Sequence, residues 1–138
     1  MFNTVPKRYD LVNRVLTLGL DERWRWRTAK LCLDAKPRRV MDICCGTGDM
    51  ALHVARLASS DVEITGVDFS KAMLEVARYK AKARGLDHKV EFKIGDAANL
   101  LYANDHFDAI TISFGFRNLT YRNPLRPKFL VEILRVIR

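Results

Sequence analysis

Residues 42–49 read Asp42-Ile43-Cys44-Cys45-Gly46-Thr47-Gly48-Asp49. They follow a short apolar run, RRVMDIC at 38–44, and lead into a helical stretch over 50–58. Two glycines between a strand and a helix let the backbone turn tightly and approach a ligand closely. Outward from this loop the alternation repeats. VEITGVD (62–68) precedes a helix over 71–84 closed by Gly85, VEFKIG (90–95) follows, and FDAITISFGF (107–116) precedes a last helix from about Pro127. Phe129, Leu130, Ile133, Leu134 and Ile137 form that helix's apolar positions. Such alternation predicts an α/β fold, a mostly parallel sheet with helices on both faces. Its ligand belongs at the carboxyl ends of the strands, where the strand order reverses. The strand over 107–116 would be a long apolar edge, so the pattern predicts that the last strands of the sheet are lacking here.

Ahead of the loop the sequence predicts a helical cap over 1–37, followed by the α/β unit over 38–138. The first helix starts near Pro6 and stops at Gly19, and Tyr9, Val12 and Leu16 share one of its faces. The second starts after Asp21 as N-cap and ends before Pro37. Residues 1–41 hold ten Lys and Arg against four acids, a large share of the chain's net charge of +8. That excess reads as a solvated helical face, with an acidic membrane surface or nucleic acid as the alternatives. Arg23-Trp24-Arg25-Trp26-Arg27 has the composition of a lipid- or RNA-binding patch, but on a helix its residues spread over several faces.

Composition excludes several classes. With 138 residues, 49% hydrophobic and 29% charged, the chain has the balance of a globular domain. Cys32, Cys44 and Cys45 make no disulfide framework, and His53, His88 and His106 have no metal-ligand spacing. No metal site is expected. No signal-peptide pattern opens the chain and no apolar run nears the roughly 18 residues of a membrane span. The expected compartment is therefore the cytoplasm.

By spacing alone the loop also fits a dinucleotide fingerprint, since Gly46-x-Gly48-x-x-Ala51 is followed by Asp68 at the customary interval. Charge argues otherwise. A pyrophosphate is drawn to a bare helix N-terminus, whereas Asp42 and Asp49 flank this one. S-adenosylmethionine, with a sulfonium and an ammonium against one carboxylate, suits the acids better. Asp68 at the second strand's end is placed to accept from both ribose hydroxyls, its other role being to cap the next helix, which Ser70 does equally well. Asp96-Ala97 stands in the same place after the third strand, suited to an adenine amino group and ring nitrogen. Three acids at three successive strand ends form one constellation.

These residues, with Tyr9-Asp10, Asn13, Trp24, Ser70, Met73-Leu74, Phe107-Asp108 and the run Ile112-Ser113-Phe114-Gly115-Phe116-Arg117-Asn118, resemble the quinone-biosynthesis C-methyltransferase family known as UbiE or MenG. The resemblance covers essentially the whole chain. It implies a Rossmann-like class I methyltransferase fold, S-adenosyl-L-methionine as cofactor, and contacts to it from Thr47, Asp68, Asp96, Ala97 and Ser113, beside the loop residues Asp42, Gly46 and Gly48. It implies methylation of a ring carbon on a polyprenylated quinol, demethylmenaquinol or a ubiquinone precursor. This sequence departs from the family at Thr17, Asp21 and Cys44-Cys45, and around 121–127 it carries about four extra residues. Arg135-Val136 opens a segment that in the family leads to further strands.

The cofactor supplies the electrophile, so the enzyme's work is alignment and charge. Arg117 is assigned stabilisation of the substrate phenolate, Asn118 its orientation, and Tyr9 pocket closure or proton relay. Core packing and a surface ion pair are the plainer roles of Tyr9 and Arg117. Two other readings stay open: an NAD-dependent oxidoreductase half-domain, and a non-catalytic remnant that binds cofactor. A prenylated substrate would bring the protein transiently to the membrane's inner face, with no nucleic acid partner and with room for a homo-oligomer.

Overall fold

The computed structural model describes residues 20–113, 115, 116, 119 and 121–138. Helix α1 (Leu20–Asp34) leads into strand β1 (Arg39–Ile43) and helix α2 (Asp49–Leu57). Strand β2 (Glu63–Asp68), helix α3 (Lys71–Ala83), strand β3 (Val90–Ile94), strand β4 (Ala109–Thr111) and helix α4 (Arg126–Val136) follow. The strands form one parallel sheet in the order β3-β2-β1-β4. The order therefore reverses between β1 and β4, which places the switch point at the end of β1, where the glycine loop begins.

The sheet divides two cores. On one face Val40, Ile64, Val90 and Phe92 meet Leu52, Val54 and Ala55 of α2, Leu74, Ala77 and Ala81 of α3, and Ala29 of α1. On the other, Met41, Ile43 and Val67 meet Phe107, Leu119, and Phe129 and Val136 of α4. Strands buried on both sides explain the near-continuous apolar runs of β1 and β2. Ser70 caps α3 by accepting from the Met73 N–H, leaving Asp68 for other bonds. Lys89 closes α2 from outside the helix, donating to the carbonyls of Ala55 and Ala58.

Three expectations need correction. Asp21 is not a cap: it lies inside α1, buried, with its carboxylate 2.7 Å from Arg25 one turn on. β4 is three residues long rather than ten, because the backbone turns where the Gly115 N–H donates to the Ser113 carbonyl. Gly115 is needed there, since a Cβ would lie 2.6 Å from that of Cys44. Ile137 has left the helix: it is extended and pairs in parallel with Phe107. α4 buries Phe129 and Val136 while Leu134 stays exposed, so its apolar positions fall on two faces. The helix proposed over 6–19 lies outside the described residues. Among those described, no helix is long and apolar enough to cross a membrane.

Candidate functional site

A cavity of about 540 Å³ opens at the carboxyl ends of β1, β2 and β3, a size within the roughly 300–1,000 Å³ of small-molecule sites. Six of the residues expected to hold a cofactor line it together: Gly46, Thr47, Asp68, Asp96, Ala97 and Ser113. They come from four separate segments, and it is the parallel sheet that makes them converge. Arg117, Asn118 and Tyr9 lie outside the described residues.

Asp68 is the hinge of the site. One carboxylate oxygen accepts from the Gly46 N–H at 2.8 Å and the other from the Ser70 N–H at 2.9 Å. The side chain thus ties the glycine loop to the end of β2 and faces the cavity at the same time. A carboxylate oxygen takes two hydrogen bonds, so each still has capacity for a hydroxyl. Asp96 is more open. Its Oδ1 accepts from the Ala98 N–H at 2.8 Å, fixing the turn after β3 and holding the buried Ala97 against the cavity. The exposed Phe69 and the buried Met73 add apolar wall to the same cavity.

The glycines do different work. Gly46 has φ of +55° and open space where a Cβ would stand, so the backbone there is bare to a ligand. Gly48, at +80°, starts α2 and lies under Phe92, whose ring carbon would be 2.8 Å from a Cβ. Gly48 is absent from the cavity wall; its contribution is close packing behind the loop.

Asp42 is likewise placed behind the loop. It is buried, accepting from the Ala51 N–H at 3.1 Å and the Thr111 hydroxyl at 2.9 Å, and does not line the cavity. Burial pushes its carboxyl up to about 7 against the pull of both hydrogen bonds. The electrostatic case against a dinucleotide therefore changes. Asp49 is answered by Lys80 at 2.5 Å, Arg84 at 3.6 Å and Arg25 at 4.0 Å, so its charge is largely balanced. What remains of the argument is local: Asp42 has already taken one first-turn N–H of α2, a group that a pyrophosphate would need.

Cys44 and Cys45 have free thiols. Burial, reinforced by Asp68, Asp42 and Asp96, pushes the Cys44 thiol up to about 12, so it is no nucleophile at neutral pH. Cys44 also carries φ of +54°, an unusual conformation for a side-chain-bearing residue, at a loop that borders the cavity.

Sequence reasoning missed Arg25, Asn123 and Phe129 as cavity residues. Arg25 sits among four other basic or aromatic residues, and only the spacing to Asp21, one turn earlier, marks it as the one turned inward. Asn123 and Phe129 reach the cavity from the chain that follows β4, beyond any motif.

A parallel sheet with its strand order reversed beside a glycine loop, acids at the ends of β2 and β3, and a cleft between them define the S-adenosylmethionine-dependent methyltransferase class of α/β domain. The sequence matches the ubiE/COQ5 methyltransferase family over residues 1–138, and the chain belongs to that family. It is 44% identical over 137 residues to the demethylmenaquinone methyltransferase of Thermus thermophilus, covering 99% of this chain and 59% of that protein. It is 38% identical over 138 residues to the ubiquinone/menaquinone biosynthesis C-methyltransferase UbiE of Geotalea daltonii, covering 57% of it. The chain thus spans rather more than half the length of these relatives. Among solved structures, a putative S-adenosyl-L-methionine-dependent methyltransferase of Methanococcus maripaludis superposes with a TM-score of 0.80 at 20% identity, over 100% of this chain and 60% of that one. The [4+2]-cyclase SpnF gives 0.65 at 32% identity, over 82% of this chain and 41% of that one.

Proposed function

We propose that this chain carries the cofactor-binding part of an S-adenosylmethionine-dependent methyltransferase that methylates a ring carbon of a polyprenyl quinol. The observation that carries the reading is Asp68. Its carboxylate is positioned by two backbone N–H groups, keeps spare acceptor capacity on both oxygens, and shares a cavity with Asp96 and the bare backbone of Gly46. A ribose diol fits Asp68, an adenine amino group fits Asp96 with Ala97 behind it, and Phe69 and Met73 offer flat apolar wall to the base. Gly46, Thr47 and Ser113 then border the methionyl end.

Bound there, the cofactor would supply an electrophilic methyl group. The protein's task is to hold the attacking carbon in line and to stabilise the phenolate that makes it nucleophilic. Arg117 is assigned that charge, Asn118 the orientation of the quinol, and Tyr9 closure of the pocket or proton relay. The similarity to a demethylmenaquinone methyltransferase supports demethylmenaquinol as the substrate.

Calorimetry tests the cofactor and label transfer tests the reaction. S-adenosylmethionine should bind, NAD should not, and Asp68→Ala should abolish binding. Transfer of labelled methyl to a demethylmenaquinol analogue is measured with this chain and with a version extended to its relatives' length. Transfer by the extended version alone would make this chain a cofactor-binding portion. Transfer by neither would refute the quinol assignment while leaving the cofactor result standing.

A further inference from the structure

Of the long basic side chains on α3, Lys80 is the one drawn in from water. Lys71, Arg78 and Lys82 are exposed, whereas the Lys80 side chain keeps only 15% of its surface. The reason lies three residues earlier. Ala77 is buried under the glycine loop, so close that a Cβ at Gly48 would stand 2.9 Å from its own. Two residues without bulk let α3 and the loop approach, and Lys80 shares a helix face with Ala77.

From that face the ammonium reaches two residues of the loop, both on a cavity wall that Lys80 itself does not line. It lies 2.5 Å from an Asp49 carboxylate oxygen and donates to the Thr47 hydroxyl at 3.2 Å. Balancing Asp49 does not require it. Arg84 and Arg25 stand at 3.6 and 4.0 Å, and a carboxylate at the start of α2 is favoured by the helix dipole. What Lys80 adds is the bond to Thr47. An ammonium has donors only, so the threonine oxygen accepts here and its own proton points elsewhere. A hydroxyl that accepts from a cation is also polarised into a stronger donor.

We propose that Lys80 is a positioning residue for the amino-acid end of the cofactor, holding Thr47 as hydrogen-bond donor to the cofactor's carboxylate. This role rests on the reading of the cavity as an S-adenosylmethionine site with the methionyl end at Thr47. A hydrogen bond to an ionised carboxylate is among the stronger ones a hydroxyl makes. A lysine placed in the cavity itself would set its cation against the sulfonium. One residue back, Lys80 supplies the polarity and leaves that charge alone. The adenosine end falls to Asp68 and Asp96, so Lys80 should matter to one end of the ligand and not to the other.

Two ligands separate the ends in calorimetry. S-adenosylhomocysteine keeps the amino-acid end, whereas 5′-methylthioadenosine keeps the adenosine and the sulfur and stops at a methyl group. Lys80→Met retains most of the stem and removes the ammonium. It should weaken S-adenosylhomocysteine about tenfold and leave methylthioadenosine unchanged, with circular dichroism showing the helices intact. Thr47→Val should show the same split. The double variant should lose no more than Thr47→Val alone, because both changes remove one interaction. Lys82→Met, on the exposed side of the same helix, should affect neither ligand. An equal loss for both ligands would make Lys80 a strut of the fold and overturn the proposal. Full affinity for S-adenosylhomocysteine in Lys80→Met would also overturn it, as would losses that add in the double variant. In each of these cases the native chain still binds both ligands and the cofactor reading stands. A native chain that binds neither would sink that reading, and the role of Lys80 with it.

Discussion

Asp42 and Asp68 end neighbouring parallel strands, Asp42 lying opposite Gly66 two residues before Asp68, yet their surroundings give them different chemistry. Asp42 is sealed beneath the loop and raised to about 7, mainly by burial. Its ordinary value is 3.8, so between the two the folded state keeps a proton that the unfolded chain has lost. Stability contributed at this site falls as pH rises from about 4 to about 7 and stays low above, by roughly 4 kcal/mol at most. Asp42→Asn keeps an acceptor for the Ala51 N–H and removes the titration. In urea denaturation the variant should gain on the native protein between pH 4 and pH 7 and level off above; a pH-independent difference would show that Asp42 is not held near neutrality. Asp68→Asn makes the opposite prediction. It keeps one acceptor oxygen and loses the charge, so the fold should survive while affinity for S-adenosylmethionine drops at least tenfold.

At the scale of the element, the glycine loop separates packing from ligand approach. Gly48→Ala sets a Cβ against Phe92 and Ala77 at a left-handed position. The expected loss of stability is roughly 2–5 kcal/mol from strain and overpacking together. Gly46→Ala meets no atom within 4 Å and should cost only about 1 kcal/mol, while cofactor affinity falls because the new methyl group stands where the ligand approaches. Denaturation and calorimetry on the pair check both halves. Strand–helix alternation made β1, β2 and β3 legible almost to the residue, since period and glycine placement are local properties. The ends of β4 and α4 were not legible, because they depend on Gly115 meeting Cys44 and on Ile137 pairing with Phe107. The same division runs through the site. Asp68, Asp96 and Gly46 sit at strand ends that sequence locates, whereas the inward turn of Arg25 and the neutralisation of Asp49 by α3 are tertiary facts. α4 shows a further one: Arg135 donates to the carbonyls of Leu100 and Tyr102 and to Glu132, whose carboxyl is thereby held down to about 2. Arg135→Ala should loosen residues 96–107, and faster proteolysis there would register it.

For the molecule as a whole, the proposed cofactor site and the proposed catalytic residues can be tested separately. A ligand that binds only the folded state adds stability as the logarithm of its concentration over Kd, about 2.7 kcal/mol at a hundredfold excess. For a domain of 138 residues that is an upward shift of the melting temperature by roughly 10 °C. S-adenosylmethionine should produce the shift and NAD should not, because the Ala51 N–H of α2 is already committed to Asp42. Asp68→Asn should cut the shift by half or more. Arg117→Ala in a version of the relatives' length should keep it intact and yet lower methyl transfer by about a hundredfold or more, the usual effect of removing a group that answers charge in the transition state. Loss of both together would place Arg117 in the cofactor site instead. Full transfer with the shift retained would leave phenolate stabilisation to some other residue.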